Sequence, residues 1–186
     1  MRPVTVTPAT YDREIASAVA QHTNPAIEQA AQTLTWGADE HILIAAAVAF
    51  WLLSRRGSKQ TRVTGTHLLA TSVVTGILPH VLKHIFNQRR PDRLTATGHL
   101  HGIPLSGLPN DAFPSGHAVH MGALASAASE FPKPYRKLTW SAAIGLSLTR
   151  IAVLAHWSSD VIVGFVGGLL VERLVRRWTG YGRSHG

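Results

Sequence analysis

Three short blocks of residues carry the groups that could do chemistry. The first runs from Lys83 through Arg89, Arg90 and Pro91 to Arg93, the second is Pro114-Ser115-Gly116-His117, and the third holds Arg150, His156 and Asp160. Lys83, Arg90 and Arg150 supply three cations, and an arginine presents a planar fork that matches phosphate oxygens. Ser115 and Gly116 open an expected helix, where free backbone N–H groups and the positive end of the helix dipole hold an anion. The ligand implied is a phosphate. Two histidines then cover the remaining roles, nucleophile and general acid, neither of which requires a metal. His156 and Asp160 are spaced so that on one helix their side chains face each other. A carboxylate bonded to one ring nitrogen fixes the tautomer and leaves the other free to attack. His156 is thus the better nucleophile and His117 the better acid.

The elements between these blocks must bring them together, and the order of charges shows what they are. No charged residue falls in His41–Ser54, a stretch that Trp36 extends upstream, in Val63–Leu82 or in Ala112–Ser129. Leu138–Ala155 is broken only by Arg150, and Ser159–Val175 opens on Asp160 and closes on Glu172 and Arg173. A helix that crosses a bilayer needs about 20 mainly apolar residues, which makes the chain an all-α integral membrane bundle of about five transmembrane helices. Arg55, Arg56, Lys59 and Arg62 follow the first span, Lys133, Arg136 and Lys137 lie between the third and fourth, and Arg173, Arg176, Arg177 and Arg183 follow the fifth. Alternating spans put these clusters on one side, which the positive-inside rule makes cytoplasmic. The N-terminus and the three chemical blocks then face outward. The cations from Lys83 to Arg93 violate that rule, and misplaced charge in a membrane protein calls for a functional reason.

Composition excludes several other classes. The 186 residues include 18 Lys and Arg against 10 Asp and Glu, a net charge of +8. A basic nucleic-acid binder would gather its cations on one face among aromatic platforms, whereas here they alternate with apolar spans, so no nucleic-acid partner is expected. The chain is 45% hydrophobic and 15% charged, which argues against disorder. With no cysteine there is no disulfide framework, thiol nucleophile, Cys-ligated zinc or iron–sulfur cluster. A soluble bundle can also have apolar buried helices, but the charge order argues against it.

The whole chain reads as one domain. Residues 1–40 lack the apolar region of a secretory signal and form an N-terminal amphipathic segment of two short helices, started by Thr7-Pro8 and Asn24-Pro25. That segment lies on the outer membrane surface or packs on the bundle. Residues 41–177 make the transmembrane catalytic bundle and 178–186 a cytoplasmic tail. Residues 88–113, with Pro91, Pro104 and Pro109, are expected to form a loop. Its His99 and His101 have no carboxylate partner for a metal site and read as loop residues near a headgroup. Asp92 and Asp111 shape the loop or meet an amine headgroup, and His120 is a helix-face residue.

Taken together, Lys83 with Arg90-Pro91, the run Pro114 to His117, and Arg150, His156 and Asp160 match in order and spacing the signature of a known family. The chain resembles the type 2 phosphatidic acid phosphatase superfamily, whose pattern is Lys-x6-Arg-Pro, Pro-Ser-Gly-His and Ser-Arg-x5-His-x3-Asp. Thr149 stands where the family usually has Ser, and residues 1–40 replace the first span of many membrane members. The resemblance implies a helical bundle that cleaves phosphate esters or anhydrides through a phosphohistidine, with no metal or other cofactor. Lys83, Arg90 and Arg150 would hold the phosphoryl oxygens, with the Ser115 hydroxyl and Gly116 amide completing the cradle. His156 would attack phosphorus and His117 protonate the leaving oxygen. Small bacterial members of this kind include undecaprenyl-diphosphate, phosphatidylglycerophosphate and lipid A phosphatases. The expected partners are therefore the lipid bilayer and a lipid phosphate or polyprenyl diphosphate, met at the outward face of the bacterial inner membrane with its tail between helices. A soluble acid phosphatase or a vanadium haloperoxidase of the same superfamily is the alternative, disfavoured by the spans and the short chain.

Overall fold

The computed structural model describes residues 3–91 and 108–183; Asp92, Arg93, His99, His101 and Pro104 lie outside the described residues. The chain begins with a two-residue strand, β1 (Val4–Thr5), followed by helices α1 (Thr10–His22) and α2 (Pro25–Thr35). Asn24 starts α2 as its sequence suggests. Its side chain accepts the Ile27 N–H at 2.9 Å, and Pro25 takes the first helical position, where a missing N–H costs nothing. Helix α1 starts later than Thr7-Pro8, because Val4–Thr5 pair in parallel with β2 (Phe86–Asn87) and the Val6 N–H donates to Asn87 O at 2.9 Å. This pairing keeps the chain extended until Ala9, the N-cap.

A short 3-10 turn, Trp36–Ala38, leads into α3 (Glu40–Ser54), capped by the Asp39 carboxylate on the His41 and Ile42 amides. Ser58 caps α4 (Lys59–Ile85) in the same way. Helices α5 (Gly116–Ala127), α6 (Lys133–Ala152) and α7 (Ser158–Thr179) complete the bundle, and α7 stops at Gly180, whose φ of +71° closes the helix in the left-handed region. By length and composition, the stretches Pro25–Ser54 and Lys59–Ile85 are apolar enough to cross a membrane. The other three helices have 12, 20 and 22 residues.

Helix α5 sits at the centre, with Ala118, Val119, Met121, Ala123, Ala125 and Ala127 buried. It packs against α7 almost backbone to backbone. A Cβ added at Gly122 would stand 1.9 Å from Phe165 O, and one at Gly168 would stand 2.0 Å from Val119 O. Small residues at a helix crossing permit this approach. On the outside the pattern inverts: Leu53, Ile77, Leu148, Ile162 and Leu170 each leave more than half of their surface exposed.

The end of the bundle away from the chemical blocks is closed by a buried polar network. Glu172 accepts from the Ser126 hydroxyl, from His67 Nε2 at 2.9 Å and from Arg176 Nε at 2.9 Å. Tyr181 stacks on the His67 ring at 4.3 Å and its hydroxyl donates to Ala127 O at 3.1 Å. Buried charge is tolerable only when paired and bonded. The network satisfies that condition and ties α4, α5 and α7 together.

Candidate active site

Helix α5 delivers the second block. Ser115 is its N-cap and Gly116 its first residue, and a Cβ at Gly164 of α7 would lie 2.6 Å from Ser115 O. The close α5–α7 crossing therefore sets where the Pro-Ser-Gly-His segment begins. A second tie comes from the Ser115 N–H, which donates to the Asp160 main-chain oxygen at 3.2 Å. The third block lies on the turn from α6 to α7. Arg150 is in the last turn of α6, and its carbonyl accepts the Ala155 and His156 amides while Leu154 takes a φ of +51°. That tight reversal points His156 back toward the first block.

The first block is held by a short ladder. The Gln88 amide donates to Asn110 O and the Ala112 amide to Gln88 O, each at 3.0 Å. Residues 110–112 are thus fixed beside the end of α4. From there Asp111 accepts Arg90 Nη2 at 2.7 Å and stands 3.5 Å from Lys83 Nζ. Arg90 also donates Nη1 to Ala155 O at 2.7 Å and Nε to Leu108 O at 3.2 Å. Arg90 is 5% exposed, and its guanidinium is pinned from three directions.

Lys83, Arg90, Gly116, His117, Arg150 and His156 line one cavity of about 380 Å³. Ser115 and Asp160 are buried behind that wall. Donors in this region that lack a protein partner among the described residues include the Ser115 hydroxyl and Arg150 Nε. Buried polar groups are almost always bonded, so exceptions beside a cationic cavity point to an oxyanion as the missing acceptor. The other side of the Arg150 guanidinium donates Nη1 to Thr35 Oγ1 at 3.1 Å, which aims it.

The expectation that His156 and Asp160 face each other on one helix needs correction. Helix α7 begins at Ser158 with Trp157 as N-cap, so His156 precedes it. The Asp160 carboxylate turns back to cap its own helix, accepting the Trp157 N–H at 2.9 Å, and stands 3.8 Å from His156 Nδ1. His156 Nδ1 instead lies 2.6 Å from Ala112 O. A carbonyl can only accept, so Nδ1 carries the hydrogen and Nε2 carries the lone pair. That lone pair faces Arg90 Nη1 at 3.4 Å in the cavity. Burial pushes His156 well below the usual imidazole range, and Arg90, Arg150 and Lys83 push the same way against the opposing Ala112 bond. The ring is held neutral.

Residues that the sequence motif does not include complete the site. Thr35 and Asp39, from the N-terminal segment, line the same cavity. Asp111 pairs with Arg90 and approaches Lys83. The Gln88 side chain, 1% exposed, reaches toward Asp160. Asp12 of α1 accepts from the Ser158 and Ser159 hydroxyls at 2.6 and 2.8 Å and from the Ser159 amide at 2.9 Å. Helices α1 and α2 therefore pack on the bundle. Ala16 and Ala20 meet Ala112, Leu154 and Trp157 there. His120, one turn past His117, bonds Thr75 and lines a different cavity.

Known proteins resemble this chain in sequence and in fold. The PAP2 superfamily model matches residues 64–184. Lipid A 1-phosphatase of Rhizobium etli is 32% identical over 157 residues, covering 77% of this chain and 67% of that protein. The chain thus spans about two thirds of that relative's length. An undecaprenyl-diphosphatase of Sulfolobus acidocaldarius is 34% identical over 119 residues, 62% of this chain and 55% of that one. Among solved structures, Aquifex aeolicus LpxE superposes with a TM-score of 0.75 over 94% of this chain and 99% of its own, at 18% identity. A transmembrane PAP2-type phosphatidylglycerolphosphate phosphatase from Bacillus subtilis does so with a TM-score of 0.68 over 95% and 88%, also at 18% identity. The last two establish a shared fold.

Proposed function

Because the chain belongs to the PAP2 superfamily, we propose that it is a membrane phosphatase that hydrolyses a lipid phosphate or polyprenyl diphosphate through a phosphohistidine. The observation that carries this reading is the orientation of His156. Its Nδ1–H is held by Ala112 O, and its Nε2 lone pair faces a cavity lined by Lys83, Arg90, Arg150 and His117. The cations bind the phosphoryl oxygens, and the Ser115 hydroxyl and Gly116 amide take the remaining charge as it develops. Nε2 attacks phosphorus, the P–N bond forms, and the P–O bond to the leaving group breaks. His117 gives that oxygen its proton. Water then attacks the phosphohistidine, with His117 taking a proton from it, and inorganic phosphate leaves.

The lipid part of the proposal rests on the apolar exterior. A soluble protein of this size would not leave Leu53, Ile77, Leu148, Ile162 and Leu170 exposed on successive helices. We place five spans in the bilayer, with α1 and α2 on the outer side and the basic clusters on the cytoplasmic side, as in a bacterial inner membrane. The similarity to a lipid A 1-phosphatase and to an undecaprenyl-diphosphatase supports an amphiphilic substrate.

The test is phosphate release by the purified full-length protein from a panel of lipid phosphates and diphosphates, with radiolabelled substrate quenched during turnover. Acid-labile, alkali-stable label on the protein, lost in His156→Ala, is the expected result. Turnover without such label, or label that persists in the variant, would overturn the mechanism.

A further inference from the structure

Proton transfer from His117 meets an electrostatic obstacle. The donor must hold a proton when the leaving oxygen departs, yet Lys83, Arg90 and Arg150 already line the cavity. A further positive charge among cations needs an opposite charge nearby. The carboxylates that line the cavity among the described residues are Asp39, Glu40 and Asp111. Asp111 accepts from Arg90 at 2.7 Å and stands 3.5 Å from Lys83. Glu40 lies 3.2 Å from His80 Nε2. Asp39 pairs with none of the phosphate-binding cations among the described residues.

The fold fixes Asp39 near His117. As the N-cap of α3 its Oδ1 accepts the His41 and Ile42 amides at 3.0 and 3.2 Å, which leaves Oδ2 without a hydrogen bond among the described residues. His41 Nδ1, on an exposed side chain, is 3.5 Å from the same Oδ1. The turn just before Asp39 is docked on α5, with Ala38 fully buried in one cluster with Met121 and Ala125. Met121 is one helical turn after His117 on the same face. Ala38 thus anchors Asp39 beside the first turns of α5, where it lines the cavity together with His117. The charged and titratable groups that act on His117 are Arg150 of α6, Asp39, His120 of its own helix and Lys83 of α4. Of these, Asp39 alone is negative.

We infer that Asp39 is a positioning residue for proton transfer, whose carboxylate faces His117 in the cavity and stabilises the imidazolium that protonates the leaving oxygen. The inference rests on the phosphohistidine reading above and adds to it a residue that lies outside the three chemical blocks. In the first half-reaction the P–O bond breaks, the proton passes from His117 to the leaving oxygen, and a neutral ring remains beside Asp39. In the second, the water oxygen bonds to phosphorus, the P–N bond breaks, and His117 takes the water proton. The imidazolium is then restored. Asp39 exchanges no proton; it acts through the charge it sets against the ring.

The test compares kcat/KM of the full-length protein in detergent micelles for dodecyl phosphate, dodecylphenyl phosphate and the ring-nitrated dodecylphenyl phosphate. Departure of the leaving group is the first irreversible step, so kcat/KM reports the half-reaction in which His117 is the acid. Along this series the leaving oxygen becomes less basic and depends less on receiving a proton. Asp39→Asn keeps an oxygen for the two amides and removes the charge. Its loss in kcat/KM should be about tenfold greater for dodecyl phosphate than for the nitrated ester, as expected for one opposed charge. In a His117→Ala background the same change should no longer alter the ratio between the two aryl esters.

A loss equal for all three substrates, or no loss, would make Asp39 a helix cap and nothing more. A ratio that Asp39→Asn still changes without His117 would place its action elsewhere. Either result overturns the inference. Asp39→Ser, another capping residue without charge, makes the same comparison if Asp39→Asn fails to fold. If the unaltered protein releases phosphate from none of the three, the proposed function itself fails.

Discussion

His156 Nδ1 donates to the main-chain oxygen of Ala112 at 2.6 Å, while the nearer Asp160 carboxylate oxygen stands 3.8 Å away. The tautomer that frees Nε2 is thus set by backbone, and Asp160 acts on the site through the cap it makes on Trp157.

This arrangement separates the two residues by mutation. Asp160→Asn keeps an oxygen that can accept the Trp157 N–H, so it should retain more turnover than Asp160→Ala, which also loses about 1 kcal/mol of helix capping. His156→Ala should lower kcat by about a thousandfold or more, as loss of a nucleophile does. Equal losses in Asp160→Asn and His156→Ala would instead make the Asp160 charge part of the nucleophile.

The pH dependence follows from His156. Attack needs the neutral ring, and burial together with Arg90, Arg150 and Lys83 holds the imidazole well below its ordinary value of 6.5. As pH falls, the folded enzyme therefore keeps His156 unprotonated after a free histidine would have gained its proton. The His156 contribution to the acid limb of kcat/KM should lie below that value, and Arg90→Gln should move it upward. The same shift makes stability fall with acid: the unfolded chain binds the proton first, and the contribution is lost as pH drops through the folded pKa. A pH–rate profile of the wild type and Arg90→Gln checks the first part, and thermal unfolding across the same range the second.

Asp12 offers a stability test at the outer face. Burial raises its pKa, but hydrogen bonds from Ser158, Ser159 and Ala9 outweigh this and hold it below the ordinary value of 3.8. A carboxylate so held stabilises the fold above that value, and the contribution is lost as pH falls through the folded pKa. Asp12→Ala leaves the Ser158 and Ser159 donors unpaired and should cost about 3 kcal/mol. A lower midpoint of thermal unfolding in detergent, with a smaller acid dependence than wild type, is the expected reading.

The α5–α7 crossing can be tested with two neighbouring glycines. Gly168→Val puts a side chain 2.0 Å from Val119 O, a main-chain atom that cannot rotate away, whereas nothing lies within 4 Å of a Cβ at Gly167. Gly168→Val should separate the helices, displace Ser115 and abolish activity. Gly167→Ala should leave thermal unfolding nearly unchanged. Activity surviving in Gly168→Val would mean that the crossing does not position the site.

Much of the site was legible because its chemistry resides in residue types at fixed spacing. Lys83, Arg90, Gly116, His117, Arg150 and His156, read from the linear chain as a phosphate site, line one cavity in space. The helix start with a local cap at Asn24-Pro25 was legible too, since a cap reaches only two or three residues. Thr7-Pro8 misled because the competing partner, β2, lies some eighty residues downstream. The expected His156–Asp160 hydrogen bond is replaced by a 3.8 Å approach for a related reason: spacing implies a shared helix face only if both residues are helical, and the helix starts after His156.

The sequence by itself determined which groups are candidates to react and the alternation of apolar and basic stretches, because both are properties of residue type and order. The tertiary structure decided how those groups are held. Ala112 O is a main-chain atom present at every position, so nothing in the sequence marks it as the partner of His156. Thr35, Asp111 and Asp12 are ordinary residues until folding brings them to Arg150, to Arg90 and to Ser158. These are contacts between segments far apart in the chain, and their strength comes from burial that only the packed bundle creates.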